Sequence, residues 1–346
     1  MRRKILCFTV LIFIVLLIAV FSIYGHSSNP EKEQLSVLVI GHSLGIDSTY
    51  LLPDIVNNNC MQDITVGMLY RSGCRLGQHV DYLDGKLKKY AYYEFDTSNG
   101  QKEWIRANAS GDFLTYKTGD GMDRFIEDGT IAQSLDFALK RKDWDIIVLQ
   151  AGVFEAANVK DSEYEVNIYN DINRLVDYVL SNDINVETKP KFAWNITWNC
   201  PSDKLLNDSY KYNLYNNFRN TDEMYNHIMQ TFNDVIVNAY EWDYIIPSAI
   251  AMQNAKSSIS DDDILYRDFI HASDYGRTIV AYTWYCTLFE EDIEECIIEP
   301  ISSELVLDTF KQNWGIDYWL PYFDKCILIE SVKNAMGYTY KLNNMQ

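Results

Sequence analysis

Three residues in this chain have the types and the order that nucleophilic acyl chemistry requires. Ser43 follows the apolar run Val37-Leu38-Val39-Ile40 through Gly41 and His42, and Gly45 stands two residues beyond it. A buried strand ending in such a turn lifts the hydroxyl to the strand's carboxyl end, where open α/β sheets place their ligands. A serine hydroxyl is a poor nucleophile until a base takes its proton, and the base needs an acid to fix its tautomer. Asp268-Phe269-Ile270-His271 offers both, a carboxylate and an imidazole three residues apart. Of the five histidines, His26 sits in a polar linker and His227 in the middle of a helical pattern. His79 is close enough to a strand end to line a pocket but has no obvious acid partner, and His42 diverges from Ser43 as its neighbour in the turn. His271 remains as the base. An isolated Asp-x-x-His is a common accident, and its weight here comes from lying near the end of an α/β region that opens with a strand-turn serine.

The elements needed to position these groups are legible as an alternation of strands and helices. Strands are predicted at Leu35–Ile40, Ile64–Tyr70, Asp145–Gln150, Lys191–Trp198 and Asp243–Ile246. Helical patterns cover Ser48–Asn59, Leu76–Leu87, Ile131–Lys140, Tyr164–Leu180, Thr221–Tyr240 and Tyr275–Phe289. Strands separated by helices of this length imply right-handed crossovers and a parallel sheet with helices on both faces. Tyr90–Tyr116, with a turn at Asp96–Gly100, reads as an inserted β-hairpin that either leans over the site or covers one sheet edge. Ser302–Gln346 reads as additional helices. The expected organisation is a leader and linker at 1–34, one α/β domain at 35–300, and a helical extension packed on that domain at 301–346.

Gly41-His42-Ser43-Leu44 after the first strand, Gly73 after the second, and Asp268 with His271 near the end resemble the blocks of the SGNH/GDSL-type esterases. Five further runs are similar, more narrowly, to the DUF4886 branch of that superfamily: Leu69-Tyr70-Arg71-Ser72-Gly73-Cys74-Arg75-Leu76-Gly77-Gln78-His79, Trp144–Gln150, Trp194–Trp198, Ala249–Lys256 and Arg267–His271. Together the blocks span roughly residues 36–290. The resemblance implies a three-layer α/β/α fold, flavodoxin-like, and ester hydrolysis through a covalent acyl-enzyme. It implies that Ser43 attacks, that His271 serves as general base and then general acid, and that Asp268 orients it. The N–H groups of Ser43 and Gly73 would hold the oxyanion, each such donor being worth about 10²–10³ in rate. The superfamily's third donor, an asparagine side chain, falls where this chain has Phe154. Gln150 either replaces it or only satisfies buried backbone groups. His42, His79, Trp198 and Asn254 are further pocket candidates, with packing and structural hydrogen bonding as the competing role.

Composition narrows the partners. The 346 residues carry a net charge of −19, with no basic run, which disfavours nucleic acid. Aromatic residues make up 14%, enough for some to stack on sugar rings while the rest fill the core. Arg2-Arg3-Lys4 followed by the uncharged run from Ile5 to about Tyr24 reads as an uncleaved signal anchor, with a cleaved signal peptide as the alternative. Either places the domain outside the cytoplasm, anchored or secreted. Cys60, Cys74, Cys200, Cys286, Cys296 and Cys326 permit disulfides, yet their wide spacing suits isolated buried thiols as well. Asn108, Asn195 and Asn207 lie in Asn-x-Ser/Thr sequons.

No cofactor or metal is expected, since Asp261-Asp262-Asp263 lacks the alternating spacing of a calcium loop and no His-Glu-x-x-His occurs. The α/β-hydrolase elbow fits Gly41–Gly45 but not a nucleophile after the first strand or an acid beside its histidine. The expected function is therefore an extracytoplasmic serine esterase acting on acylated carbohydrate or small esters. The alternative is a catalytically weak or inactive glycan-binding module on the same scaffold.

Overall fold

The computed structural model describes residues 34–60, 62–83, 87–101, 104–115, 133–158, 167–182, 189–201, 205–259, 262–298 and 325–343. Eight strands form one sheet: β1 (Gln34–Gly41), β2 (Asp63–Tyr70), β3 (Ala91–Asp96), β4 (Ile105–Ala107), β5 (Phe113–Thr115), β6 (Ile146–Leu149), β7 (Lys191–Asn195) and β8 (Tyr244–Ile246). Their order is β5-β4-β3-β2-β1-β6-β7-β8. Strands β2, β1, β6, β7 and β8 run parallel, whereas β3, β4 and β5 add antiparallel to the β2 edge. Val37, Leu38, Val39 and Ile40 are all at most 1% exposed. Consecutive strand residues point to opposite faces, so β1 is covered on both.

Eleven helices can be labelled: α1 (Ser43–Thr49), α2 (Leu52–Asn59), α3 (Leu76–Asp81), α4 (Leu135–Leu139), α5 (Val153–Ala156), α6 (Ile168–Asn182), α7 (Asp208–Asn217), α8 (Thr221–Thr231), α9 (Ser248–Ser258), α10 (Asp274–Leu288) and α11 (Lys325–Asn343). Helix α10 packs on α1 and α2, α3 on α6, and α11 on α9 and α10.

The register explains where a site can form. Gly41 pairs with Tyr70, and Ile40 with Leu149, so β1, β2 and β6 end side by side. The chain leaves β1 for β2 on one side and later returns to β6 on the other. That reversal opens a crevice at the carboxyl ends of the strands.

Several boundaries differ from expectation. The helix predicted from Ser48 begins at Ser43, with His42 as its cap, and breaks ahead of Pro53, which sits near the start of α2 where a missing N–H is harmless. The helix expected at Leu76–Leu87 stops at Asp81, and β7 ends at Asn195 rather than Trp198. The inserted segment extends the sheet edge, β3 pairing antiparallel with β2. The pattern predicted over Thr221–Tyr240 passes through one π-helical turn at Phe232–Ile236.

The Ile5–Tyr24 run and His26 lie outside the described residues, as do Asp261 and the first part of the C-terminal extension. No helix among the described residues is long and apolar enough to cross a membrane. None of the six described cysteines forms a disulfide. Asn195 is fully buried and hydrogen-bonded with the Ser248 hydroxyl, so its sequon is closed in the folded chain, while Asn207 caps α7.

Candidate active site

Ser43 is the first residue of α1, and its main-chain N–H therefore has no acceptor within the helix. His42 sets this start. Its backbone is extended, and its Nδ1 accepts from Leu44 N at 3.4 Å while Nε2 meets Ala151 O at 3.1 Å. The carbonyl needs a donor, so the ring is the neutral Nε2–H tautomer. Burial holds its pKa down to about 4, against the pull of the Ala151 hydrogen bond. His42 thus ties the end of β1 to the end of β6 and still lines the cavity beside Ser43.

Gln150 does not serve as an oxyanion donor. Its side chain is fully buried beneath α1, with the carboxamide oxygen accepting from Gly45 N at 3.0 Å and His42 N at 3.1 Å. The other end of the amide faces Asn195 at 3.1 Å. The close approach needs glycine at position 45, where a Cβ would come 2.7 Å from the Gln150 amide and 2.9 Å from Met68 Cε. The alternative weighed from sequence, that Gln150 satisfies buried backbone, is the one the fold adopts.

Asp268 and His271 meet as their spacing predicts. His271 Nδ1 lies 2.7 Å from Asp268 Oδ2, while Asp268 Oδ1 accepts from Ile270 N (2.9 Å) and His271 N (2.8 Å). Burial opposes charge on both, but their mutual hydrogen bond wins, holding the Asp268 carboxyl below its ordinary value and the His271 imidazole above 6.5. Nε2 of His271 is left as the atom able to take a proton. Trp198 does not line the cavity. It donates from Nε1 to Ile270 O at 3.0 Å and so props the loop that carries His271.

Sequence reasoning missed the group that fastens this loop to the serine helix. Asp47, one turn beyond Ser43 on α1, is wholly buried. It receives Arg267 Nη1 at 2.7 Å, Arg277 Nε at 2.8 Å and Ala272 N at 2.9 Å. Burial alone would raise its pKa, but the two guanidiniums bring it down to about 2. The contacts span 220–230 residues of sequence, so no local pattern signals them.

Ser43, His42 and Gly73 share a cavity of about 170 Å³ with Arg75, Phe154 and Tyr210. Gly73 has φ +58, and a Cβ there would meet nothing within 4 Å, so conformation rather than space selects glycine. Glu155 joins the two loops of this wall. Its carboxyl accepts from Leu76 N and Gly152 N, both at 3.0 Å, and burial pushes its pKa up to about 7. Phe154 stands against Tyr210 with centroids 5.4 Å apart, and Tyr210 against Phe269 at 4.3 Å, giving the cavity an aromatic side.

Two other candidates lie elsewhere. His79 is buried with Nδ1 2.9 Å from Tyr90 OH, and burial lowers its pKa to about 3. Asn254 lies on α9 and donates to Ser331 O on α11. Among the described residues, no hydrogen bond joins Ser43 Oγ to His271, although the adjacent Ile270 lines the serine's cavity. Catalytic hydrogen bonds are often long before substrate binds. No group of three or more His, Cys, Asp or Glu side chains among the described residues is placed to hold a metal ion.

The family described as a domain of unknown function, DUF4886, matches residues 102–304, a span that takes in Asp268 and His271 and begins after Ser43 and Gly73. The fold is similar to the crystal structure of a DUF4886 family protein from Bacteroides uniformis ATCC 8492, with a TM-score of 0.60. That match covers 89% of this chain and 96% of the other at 20% identity, a likeness of fold alone. No curated protein matches. With the family's match running over more than half of its length, the chain belongs to the DUF4886 family.

Proposed function

We propose that this chain is a serine esterase of the SGNH type, acting outside the cytoplasm on short acyl esters of carbohydrates. The observation that carries the reading is the 2.7 Å Asp268–His271 pair on a loop clamped, through Asp47, to the helix that begins with Ser43. The parallel strand order β2-β1-β6-β7-β8 is the flavodoxin-like order that an SGNH fold requires, which supports the superfamily reading.

In the proposed reaction Ser43 Oγ attacks the ester carbonyl carbon as its proton passes to His271 Nε2. The His271 Nδ1–H stays on Asp268, which stabilises the imidazolium. Negative charge on the carbonyl oxygen is met by the N–H groups of Ser43 and Gly73. Collapse breaks the carbon–oxygen bond, and His271 returns the proton to the departing alcohol. Water, deprotonated by the same imidazole, then cleaves the acyl-serine to release the acid and restore Ser43. Hydrolysis of p-nitrophenyl acetate, with loss of about 10⁴-fold or more in Ser43→Ala, and labelling of Ser43 by a fluorophosphonate test this directly. Wild-type inactivity across a broad ester panel, with Ser43 unlabelled, overturns it.

A second reading is a binding module on the same scaffold. It is favoured by the open Ser43–His271 contact and by Phe154 where a donor amide is expected. Glycan binding that survives Ser43→Ala in a chain lacking turnover would establish it.

A further inference from the structure

We propose that Cys286 and Cys296 are a redox pair that closes into a disulfide and pins the acidic segment following α10 to the end of that helix. This site stands apart from the esterase reading, since neither thiol lines the serine cavity. Helix α10 ends at Leu288, and Glu290 lies in the left-handed region at φ +56. Glu291 N donates back to Cys286 O at 3.2 Å, the six-to-one bond of a Schellman turn, and the chain doubles back over the helix end. Asp292 then caps a single 3₁₀ turn, Ile293–Glu295, by accepting from Glu294 N at 3.0 Å. Cys296 closes that turn, its N–H donating to Ile293 O at 3.3 Å. The reversal and the turn return the Cys296 side chain to Cys286, and the two thiols are hydrogen-bonded to each other. Just beyond, Ile297 is fastened by Asn59, which bonds both its N–H and its carbonyl, and by the Tyr282 hydroxyl at 2.8 Å. The fold thus sets the meeting of the two sulfurs from both sides of the segment.

The two thiols differ in the way that stepwise exchange needs. Cys286 is buried, and Cys296 is partly exposed. The Cys286 S–H donates to Cys296, and this bond holds the Cys296 thiol below its ordinary value, against burial and the carboxylates of Glu291 and Asp292. The same bond, with burial, pushes Cys286 up. Cys296 is therefore the entering sulfur. Its thiolate attacks a low-molecular-weight disulfide, here oxidised glutathione, forming a mixed disulfide and expelling one glutathione thiolate. Cys286 gives its proton to that thiolate and attacks the Cys296 sulfur, expelling the second. The two cysteines lose two electrons and two protons, and the glutathione disulfide leaves as two thiols. Cys286 also lines a cavity of about 660 Å³ between the end of α10 and α11, which gives a small oxidant a path to the buried partner.

The segment between the two cysteines has reason to be pinned. Five of the six residues from Glu290 to Glu295 are carboxylates. Lys333 meets Glu294 at 2.6 Å, but that pair is exposed on both sides and worth little. Repulsion among the carboxylates favours lifting the segment off the helix, with the buried Ile293 opposing it. A disulfide closing a loop of roughly ten residues removes much of the freedom that lifting would gain.

In the test the full chain is reduced, equilibrated with mixtures of reduced and oxidised glutathione, alkylated with N-ethylmaleimide in denaturant, and mapped by peptide mass spectrometry. The expected result is the loss of two alkylation sites and a linked Cys286–Cys296 peptide, unchanged in Cys60→Ser. Cys60 is the control because it follows Asn59 and is a third thiol acting on Tyr285. In Cys286→Ser, Cys296 should stop at the glutathione adduct, and in Cys296→Ser, Cys286 should stay open to alkylation. Oxidation should raise the urea denaturation midpoint by about 1 M, a rise that the Cys286→Ser/Cys296→Ser double variant should lack. Both thiols still alkylated at full oxidation, or Cys296 joined to Cys60 or Cys326 instead, overturns the proposal. The wild-type map decides this whether or not the variants fold. A linked chain with an unmoved midpoint overturns the pinning.

Discussion

Replacing Asp47 by Asn asks whether the loop bearing His271 is held by charge. The wild-type carboxylate is fully buried, faces Arg267 and Arg277, and accepts from Ala272 N. Its fall from 3.8 to about 2 corresponds to roughly 2–3 kcal/mol. Because the folded pKa is depressed, that contribution is present above pH 3.8 and is lost as pH falls through about 2. Asparagine keeps the shape and still accepts from Ala272, but it leaves two half-buried guanidiniums facing a neutral amide. Removing one partner of a buried pair costs about 3–5 kcal/mol. This larger figure governs at neutral pH, since it includes the desolvated charges left behind.

Against a total of ~5–15 kcal/mol, Asp47→Asn should fold with a clearly lower denaturation midpoint. The chemistry should change in a direction that a structural defect alone would not give. Asp47 is one of the charges that raise the His271 pKa, and Arg267 lowers it. The variant should therefore shift the acid limb of kcat/KM toward lower pH, while the plateau falls ~10–100-fold as the loop loses its anchor. Ester hydrolysis followed from pH 5 to 8.5, with circular dichroism at each pH, measures both. Arg277→Gln, which removes a cation instead, should not lower the limb. An Asp47→Asn enzyme with a wild-type plateau, or with its limb moved upward, refutes the reasoning.

Three more expectations follow from the same geometry. Wild-type kcat/KM should rise with pH through an inflection above 6.5, because His271 must be neutral to act as a base and its folded pKa is raised; an inflection below 6.5 in the pH–rate profile contradicts that assignment. Glu155 keeps its proton longer when folded, up to about pH 7 against 4.5 unfolded, so wild-type stability should drop by ~3 kcal/mol as pH rises between those values. Glu155→Gln, which cannot titrate, should lack that drop in urea denaturation, and equal slopes would sink the idea. Gly73→Ala meets no steric obstacle, yet its φ of +58 makes alanine cost ~1–2 kcal/mol. A parallel kcat loss of ~10²-fold is expected if relaxation turns the N–H away, and unchanged kcat would remove Gly73 from the oxyanion site.

What was legible in the sequence is what short-range spacing controls. The β-branched run into Gly41 shows where the first strand ends, and three residues of separation are enough to bring Asp268 onto the His271 ring. Gln150 was readable as a strand-end residue but not in its role, because the His42 and Gly45 N–H groups reach it only through the β1–β6 register. Nothing near position 79 signals that the His79 ring meets Tyr90, which stands just ahead of β3 and its antiparallel return along β2. Asn254 takes the structural hydrogen-bonding role of the two open to it, and its acceptor lies 77 residues later.

The assembly of the site has the same division. Ser43, Gly73 and Gly152 each follow a strand end, and parallel register alone gathers them at one edge of the sheet. His271 follows no strand, so register cannot deliver it. Its loop is tied to the helix that begins with Ser43 by Asp47, which binds Arg267, Ala272 and Arg277 across more than 200 residues. That makes the placement of His271 relative to Ser43 the least locally encoded part of the candidate site. It is also the placement that a single charge change at Asp47, with Ser43 and His271 both intact, should loosen.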